Sequence, residues 1–468
     1  MTTATIDTAA DLPAVSGDDR AFLGHPKGLG YLAFTEAWER FSFYGMQSLL
    51  VLYMAKYLLL PGQIDSIAFF ASFRQLYGSL QGPALASAIF GTYAALVYFT
   101  PTIGGFIADR WIGKRRAVLA GALTMALGHF LMAFEASFLF ALLVLVIGSG
   151  LFKGNLASQI GSLYRPDDLR RADAFQIYYL AINAGVIAAP LIAGTLGEAI
   201  GWDWGFGAAG VGMVIGTIIY LAGQRHLPPE PARNTNVAAP VRERMRNDDW
   251  IMLGVVLLLV PVLALAVLPN QEIFNAYLLW GDSQFQLVFF GTLLPTTWLI
   301  TLDAIVSVSF LAIVALFFRW YARHWREPDE LSKIIIGMGF AIGGMLCLYI
   351  AAATQPPGGK IGLFWPVADR LCAGAAGGAG AVRPAGAPAV ARDRGGALFT
   401  VLLRRQRPCR MDRRFLHPHG SYRFLADACR VCRSSCCHLH RAEAGAPQQA
   451  GKQPISKPAL TVPPGREI

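Results

Sequence analysis

YLAFTEAWERFSFYGMQSLLVLYMAKYLLL, residues 31–60, is an apolar run interrupted by Glu36, Glu39 and Arg40. A helix crosses a bilayer with about 20 apolar residues, so the run is long enough to span one. The charges then lie where an ionisable side chain is costly unless it is paired or faces an aqueous cavity, which makes each a functional candidate. Glu36 and Arg40 are four apart on one helical face, with Tyr44 one turn further and Glu39 beside them. This spacing points a carboxylate, a guanidinium and a phenol into one cavity. The plainer alternative is a self-neutralising Glu36–Arg40 pair that only fixes helix packing, although buried pairs rarely add net stability.

The rest of the chain agrees with a membrane setting. Its 468 residues are 54% hydrophobic and only 15% charged, with a mean hydropathy of +0.44. That is too apolar for a soluble enzyme of this size and reads as a polytopic, all-α membrane protein. Residues 1–24 are polar and lack the basic start and apolar core of a signal peptide, so the first span is expected to act as its own insertion signal. Apolar stretches follow at 31–60, 84–108, 116–135, 137–163, 174–200 and 205–224, and, after a polar segment at 225–249, at 250–279, 286–320 and 331–353. Nine spans are expected, the eighth overlong and including a lead-in. Lys and Arg concentrate after the even-numbered spans, as in Arg110, Lys114, Arg115 and Arg116, or Arg165, Arg170 and Arg171. This alternation predicts a cytoplasmic N-terminus.

Further charges fall inside spans. Lys153, within GSGLFKGNLASQIGSLY (148–164), has no carboxylate one turn away, so its partner must come from another span or from a substrate; the alternative is snorkelling to an interface. Tyr179 and Asn183 share a face of the fifth span and could bind a polar ligand or join helices. Tyr93 and Tyr98 in the second span are weak signals. Asp303 in the eighth span has no Lys or Arg within a turn, and burial could hold it protonated. Glu272 sits at the outer end of the seventh span, where it could be a loop residue. A lone His129 reads as a satisfied packing residue. No nucleophile and base pair or metal triad marks the spans, so an enzyme is not expected.

EAWERFSFYG (36–45) resembles the first-helix signature of the proton-dependent oligopeptide transporters, a branch of the major facilitator superfamily, with Phe43 where a tyrosine is usual. GGFIADRWIGKRR (104–116) is similar to the superfamily loop between helices 2 and 3. GSGLFKGNLASQIGSLY and IYYLAINAG are similar to the family's fourth- and fifth-helix signatures. The resemblance covers about residues 24–353 and implies two six-helix bundles with a site at the midplane between them. It further implies import of dipeptides and tripeptides with protons, by alternating access across the inner cell membrane; the alternatives are a transport-inactive truncated transporter and a major facilitator symporter for another small amino-acid-like solute. Glu36, Glu39, Arg40, Lys153 and Asp303 would couple protons. Arg40, Tyr44, Tyr93, Lys153, Asn183 and Glu272 would bind substrate. Gly104, Gly105, Asp109 and Arg110 would serve packing and gating. The expected partners are di- and tripeptides, protons and the lipid bilayer; no cofactor, metal or nucleic acid is expected.

The domain reading is a polar tail (1–24), an N-terminal bundle of six helices (25–224), a cytoplasmic linker (225–249), a partial C-terminal bundle (250–364) and an atypical basic tail (365–468). Residues 369–468 hold 17 Lys and Arg against 6 Asp and Glu, whereas residues 1–368 hold 23 against 24, and six of seven cysteines follow Cys347. No span-length apolar run is expected there, nor a counterpart of the tenth-helix glutamate that the resemblance implies. Three readings compete for this tail: a zinc module around Cys429, Cys432, Cys436, Cys437, His438 and His440; a basic lipid-touching segment; and a reading-frame shift in GC-rich DNA. The frame shift is preferred because it explains the missing helices, the charge jump and the cysteines together.

Overall fold

Helices dominate because a chain in hydrocarbon must satisfy its backbone within each segment. The structure is a computed structural model that describes residues 19–165, 168–230, 247–289, 291–325 and 328–381. The expectations for residues 1–18, for the linker at 231–246 and for the tail from 382, including the Cys429–His440 cluster, lie outside the described residues.

Six long helices form the first half: α1 (Lys27–Tyr53), α2 (Gly82–Ile107), α3 (Lys114–Leu131), α4 (Phe138–Ser162), α5 (Arg170–Ala189) and α6 (Trp202–Gly223). A π-helical turn at Pro190–Gly194 carries α5 on into Thr195–Ala199. Pro190 has no amide hydrogen to give the regular ladder, which suits it to such a break. The second half holds α7 (Asn247–Gln271), α8 (Trp298–His324), α9 (Glu330–Thr354) and α10 (Phe364–Ala381). Asp329 caps α9 by accepting from the Ser332 amide at 2.8 Å.

Helix α1 is buried on almost every face and packs on α5 and α6. Small residues let the backbones close: a Cβ on Gly104 of α2 would drive into the Gly150 carbonyl of α4, and one on Gly185 of α5 would lie 2.5 Å from the Ala37 carbonyl of α1. Gly113, between α2 and α3, has φ +83°, and a side chain there would strike the Glu230 carboxylate.

The nine expected spans correspond to α1–α9, with two adjustments. The eighth begins at Trp298, because Val288–Phe289 and Thr292–Leu293 form a small antiparallel hairpin ahead of it. Among the described residues, six helical stretches are long and apolar enough to cross a membrane by length and composition alone. Helix α1 carries its charges inside, and α3 spends its first turn on Lys114, Arg115 and Arg116. The partial C-terminal bundle expected to end at 364 continues in helix α10, which runs from Phe364 to Ala381 and packs on α8 and α9. Its Ala and Gly residues give too little apolar bulk to register as a span. They nevertheless permit close approach: a Cβ on Gly374 would lie 2.8 Å from Phe310 Cβ.

Candidate functional site

Arg40 Nε lies 2.7 Å from Glu36 Oε1 and 3.1 Å from Glu39 Oε2. Glu36 is 1% exposed and Glu39 0%. One guanidinium therefore serves two buried carboxylates, and Glu36 Oε2 and both Glu39 oxygens have no hydrogen-bond partner. Unsatisfied buried acceptors are costly, and a proton on one of them or an added donor relieves the cost.

Lys153, from α4, brings the second cation. Its Nζ is 3.4 Å from the centre of the Phe43 ring and 5.8 Å from that of Tyr98. No carboxylate lies within 4 Å of it among the described residues. The ammonium is held by a ring face instead of an ion pair. Two acids and two bases thus share one neighbourhood, formally neutral and incompletely paired. Phe43 meets Tyr44 edge to face at 5.3 Å, and Tyr44 stacks on Phe274 of the second half at 5.4 Å. An aromatic row therefore runs from the Lys153 ammonium to the facing half.

The halves are also joined at the end where α5 finishes and α8 starts. Glu198 accepts from the Thr296 amide at 2.9 Å, the Thr297 amide at 2.8 Å and the Thr297 hydroxyl at 2.7 Å. Trp298 Nε1 donates to Thr195 Oγ1 at 2.8 Å, and Lys56 pairs with Asp282 at 2.9 Å.

Tyr93 is buried in the hydrophobic core within electrostatic reach of Glu39, and Tyr98, 53% exposed, sets its ring near the Lys153 ammonium. Asn183 donates to the Tyr179 carbonyl of its own helix at 2.8 Å. Glu272 starts a short turn and accepts from the Ala276 amide at 3.2 Å, so it caps the helix Ala276–Gln284; its neighbour Phe274 is what meets Tyr44. Gly104 is a contact glycine, but a Cβ on Gly105 would meet open space. Asp109 is exposed and 3.8 Å from Lys114, while Arg115 joins the stretch after α6 through the Leu227 carbonyl at 2.7 Å.

Asp303 does have a basic partner. Arg370 Nη1 of α10 lies 3.0 Å from its Oδ1. Arg370 also pairs with its neighbour Asp369 and stands 4.6 Å from the Tyr277 ring centre. No Lys or Arg stands within a turn of Asp303, and the partner comes from another helix, 67 residues away in sequence. His129 is not satisfied: it is fully buried and neither ring nitrogen has a hydrogen-bond partner.

Outside the spans, beside the start of α5, Arg170 hydrogen-bonds the Asp168 carboxylate at 2.9 Å and holds it below the usual carboxylate range. Nearby, His25 Nδ1 lies 2.9 Å from the Tyr164 hydroxyl. The Lys27 amide bonds Asp19 at 2.9 Å and lowers that carboxyl too.

Residues 115–250 match the family model described as "PTR2: POT family". The peptide transporter YePEPT of Yersinia enterocolitica subsp. palearctica serotype O:3 (strain YE-P4) is 34% identical over 272 residues, covering 56% of this chain and 50% of that protein. The di-/tripeptide transporter of Lactococcus lactis subsp. lactis (strain IL1403) is 36% identical over 244 residues, 51% of this chain and 46% of that protein. The chain spans about half the length of these curated relatives. Among solved structures, the peptide transporter POT in complex with sulfate superposes with a TM-score of 0.58 at 25% identity, over 77% of this chain and 82% of that one. A POT family transporter in complex with 5-aminolevulinic acid gives 0.58 at 20% identity, over 77% and 83%, a likeness of fold alone.

Proposed function

We propose that this chain is a transporter of the POT family with the major facilitator fold, a proton-coupled symporter importing dipeptides and tripeptides. The observation that carries this reading is the buried Glu36–Glu39–Arg40 cluster with its unpartnered carboxylate oxygens. Glu39 accepts the proton, having no hydrogen bond to lose. Arg40 and Lys153 attract the peptide carboxylate, and Tyr44 and Tyr98 line the space a variable side chain needs. A peptide carboxylate that draws Arg40 or Lys153 away from the acids changes their appetite for protons, and that mutual bias is the coupling.

The membrane is the inner cell membrane, with the N-terminus cytoplasmic on the distribution of Lys and Arg. The end joined through Glu198 and Lys56 is then the outer one, so the conformation is closed outside. In this reading Asp303 is tied to Arg370 and acts as a fixed pair unless that pair opens during transport.

The test is uptake of labelled dialanine into proteoliposomes holding the full chain, under an inward proton gradient. Accumulation that a protonophore abolishes supports the proposal. Uptake indifferent to the gradient removes the coupling, and no uptake favours a second reading, a transport-inactive product. That reading rests on the shift to basic, cysteine-bearing composition after residue 369. Resequencing the coding DNA across codons 355–380 decides its origin. A second frame opening into further apolar spans would mark a broken copy of a working gene.

A further inference from the structure

Outside the signature cluster, one acidic side chain bonds across the boundary between the two halves with all its capacity directed at a single point. Glu198 lies in the last turn of Thr195–Ala199, at the end of the fifth helix of the first half. Its two oxygens take the amides of Thr296 and Thr297 and the Thr297 hydroxyl. These amides open α8, the second-half helix that carries Asp303. The first amides of a helix have no partner within it and bear the positive end of its dipole, so a carboxylate is the natural acceptor there. Here the acceptor comes from the other half of the molecule, so any separation at this end breaks three hydrogen bonds at once.

The surroundings sharpen the point. Thr296 and Thr297 are buried, and a Cβ on Gly194 would strike the Thr297 side chain, so the two backbones meet as closely as glycine allows. The Thr296 hydroxyl donates to Asp282 at 2.7 Å, and Asp282 takes Lys56 from the π-helical turn that follows α1. Thr296 is thus held from both sides. Directly beneath, the Thr301 hydroxyl donates to the Ile187 carbonyl of α5 at 3.1 Å and is buried by the junction.

We propose that Glu198 is a positioning residue of the transport cycle: by capping α8 from the opposite half it keeps this end of the molecule shut, and releasing that cap is a required step in opening it. The proposal deepens the transporter reading and rests on it for its meaning. Its test reads conformation without transport, so the two can fail separately.

The experiment uses the full chain in detergent, with Thr301→Cys as a reporter beneath the cap and Gly154→Cys, beside Lys153 in α4, as a reporter away from it. Labelling by a bulky water-soluble maleimide is followed by peptide mass spectrometry, which separates each reporter from the native cysteines. With Glu198 intact, Thr301→Cys is protected. Glu198→Ala is expected to raise its labelling rate at least tenfold, and Glu198→Gln, which keeps the shape and loses the charge, to raise it severalfold. Labelling of Gly154→Cys is expected to fall as the other end closes. Unchanged labelling at Thr301→Cys overturns the proposal. So does a rise at both reporters, which is the signature of a loosened fold.

Discussion

The Lys153 ammonium sits 3.4 Å from the centre of the Phe43 ring, seated on an aromatic face close to two carboxylates that hold other bonds or none. A cation on a desolvated ring face is stabilised by roughly 1–2 kcal/mol. A seat of that strength is weak enough to give way when the charge around it changes.

The first prediction concerns this seat. Phe43→Leu removes the ring face and leaves Lys153 free to settle on Glu39, so gradient-driven uptake should fall about tenfold, which corresponds to roughly 1.4 kcal/mol. Phe43→Tyr keeps the face and should retain most of the rate. Equal rates for the two variants would show that the ring only fills space.

Arg40 is the one guanidinium close to both buried carboxylates. Arg40→Ala should abolish gradient-driven uptake while the protein still inserts. It should also lower the thermal midpoint, because removing one partner of a buried pair costs about 3–5 kcal/mol. Lys153→Ala should abolish uptake with a smaller loss of stability, since no ion pair is broken. Undiminished uptake in either variant would sink its assigned role.

Asp303 and Arg370 give a stability test. Asp303→Ala leaves the buried Arg370 with Asp369 as its one carboxylate among the described residues and should destabilise by about 1–3 kcal/mol. The double variant Asp303→Leu, Arg370→Met should be worse than the single, since it takes the cation from the buried Asp369. Thermal unfolding of the three proteins in detergent measures both effects. A double variant as stable as the parent would mean that Asp369 does not depend on Arg370.

The difference between Arg40 and Arg370 shows what a sequence reveals. Glu36, Glu39 and Arg40 lie within two turns of one helix, and helical spacing alone puts Glu36 and Arg40 on one face. The apolar runs were equally legible as helices, because hydrocarbon leaves few choices of backbone. Arg370 could not be matched to Asp303, since pairing between helices depends on rotation and depth that composition does not encode. Its helix also lacked the apolar bulk that marks a span. Tyr98 and Tyr93 are both aromatic on α2, and only packing decides that Tyr98 lies near Lys153. Nothing in the stretch around Glu198 marks it, and only the fold brings the start of α8 to its carboxylate.

Asp168 supplies a pH prediction outside the spans. Its carboxyl is held low chiefly by the Arg170 hydrogen bond. A depressed carboxyl contributes stability above its unfolded pKa and loses it as pH falls through the lower folded value. Asp168→Asn should therefore cost no more than about 1 kcal/mol near neutrality, the pair being partly exposed. The difference from the parent should shrink as pH falls through the lowered folded value, under the ordinary carboxylate range. Thermal midpoints of both proteins across pH 3–7 would check the sign; a gap that widens in acid would reverse it.

His129 is the final case. It is fully buried in α3 with neither ring nitrogen bonded, so it pays for desolvation without a partner. Among the described residues, no hydrogen bond or ion pair ties it to the charge cluster. His129→Leu removes two polar atoms and keeps most of the volume, and it should be neutral or stabilising by about 1–2 kcal/mol. His129→Ala leaves a cavity and should cost about 2–4 kcal/mol, with gradient-driven uptake close to the parent value in both variants. If His129→Leu melts well below the parent, the ring has a bonded partner in the membrane. If it melts normally but stops uptake, the proton route passes through α3, and the coupling assigned to the first helix must be shared.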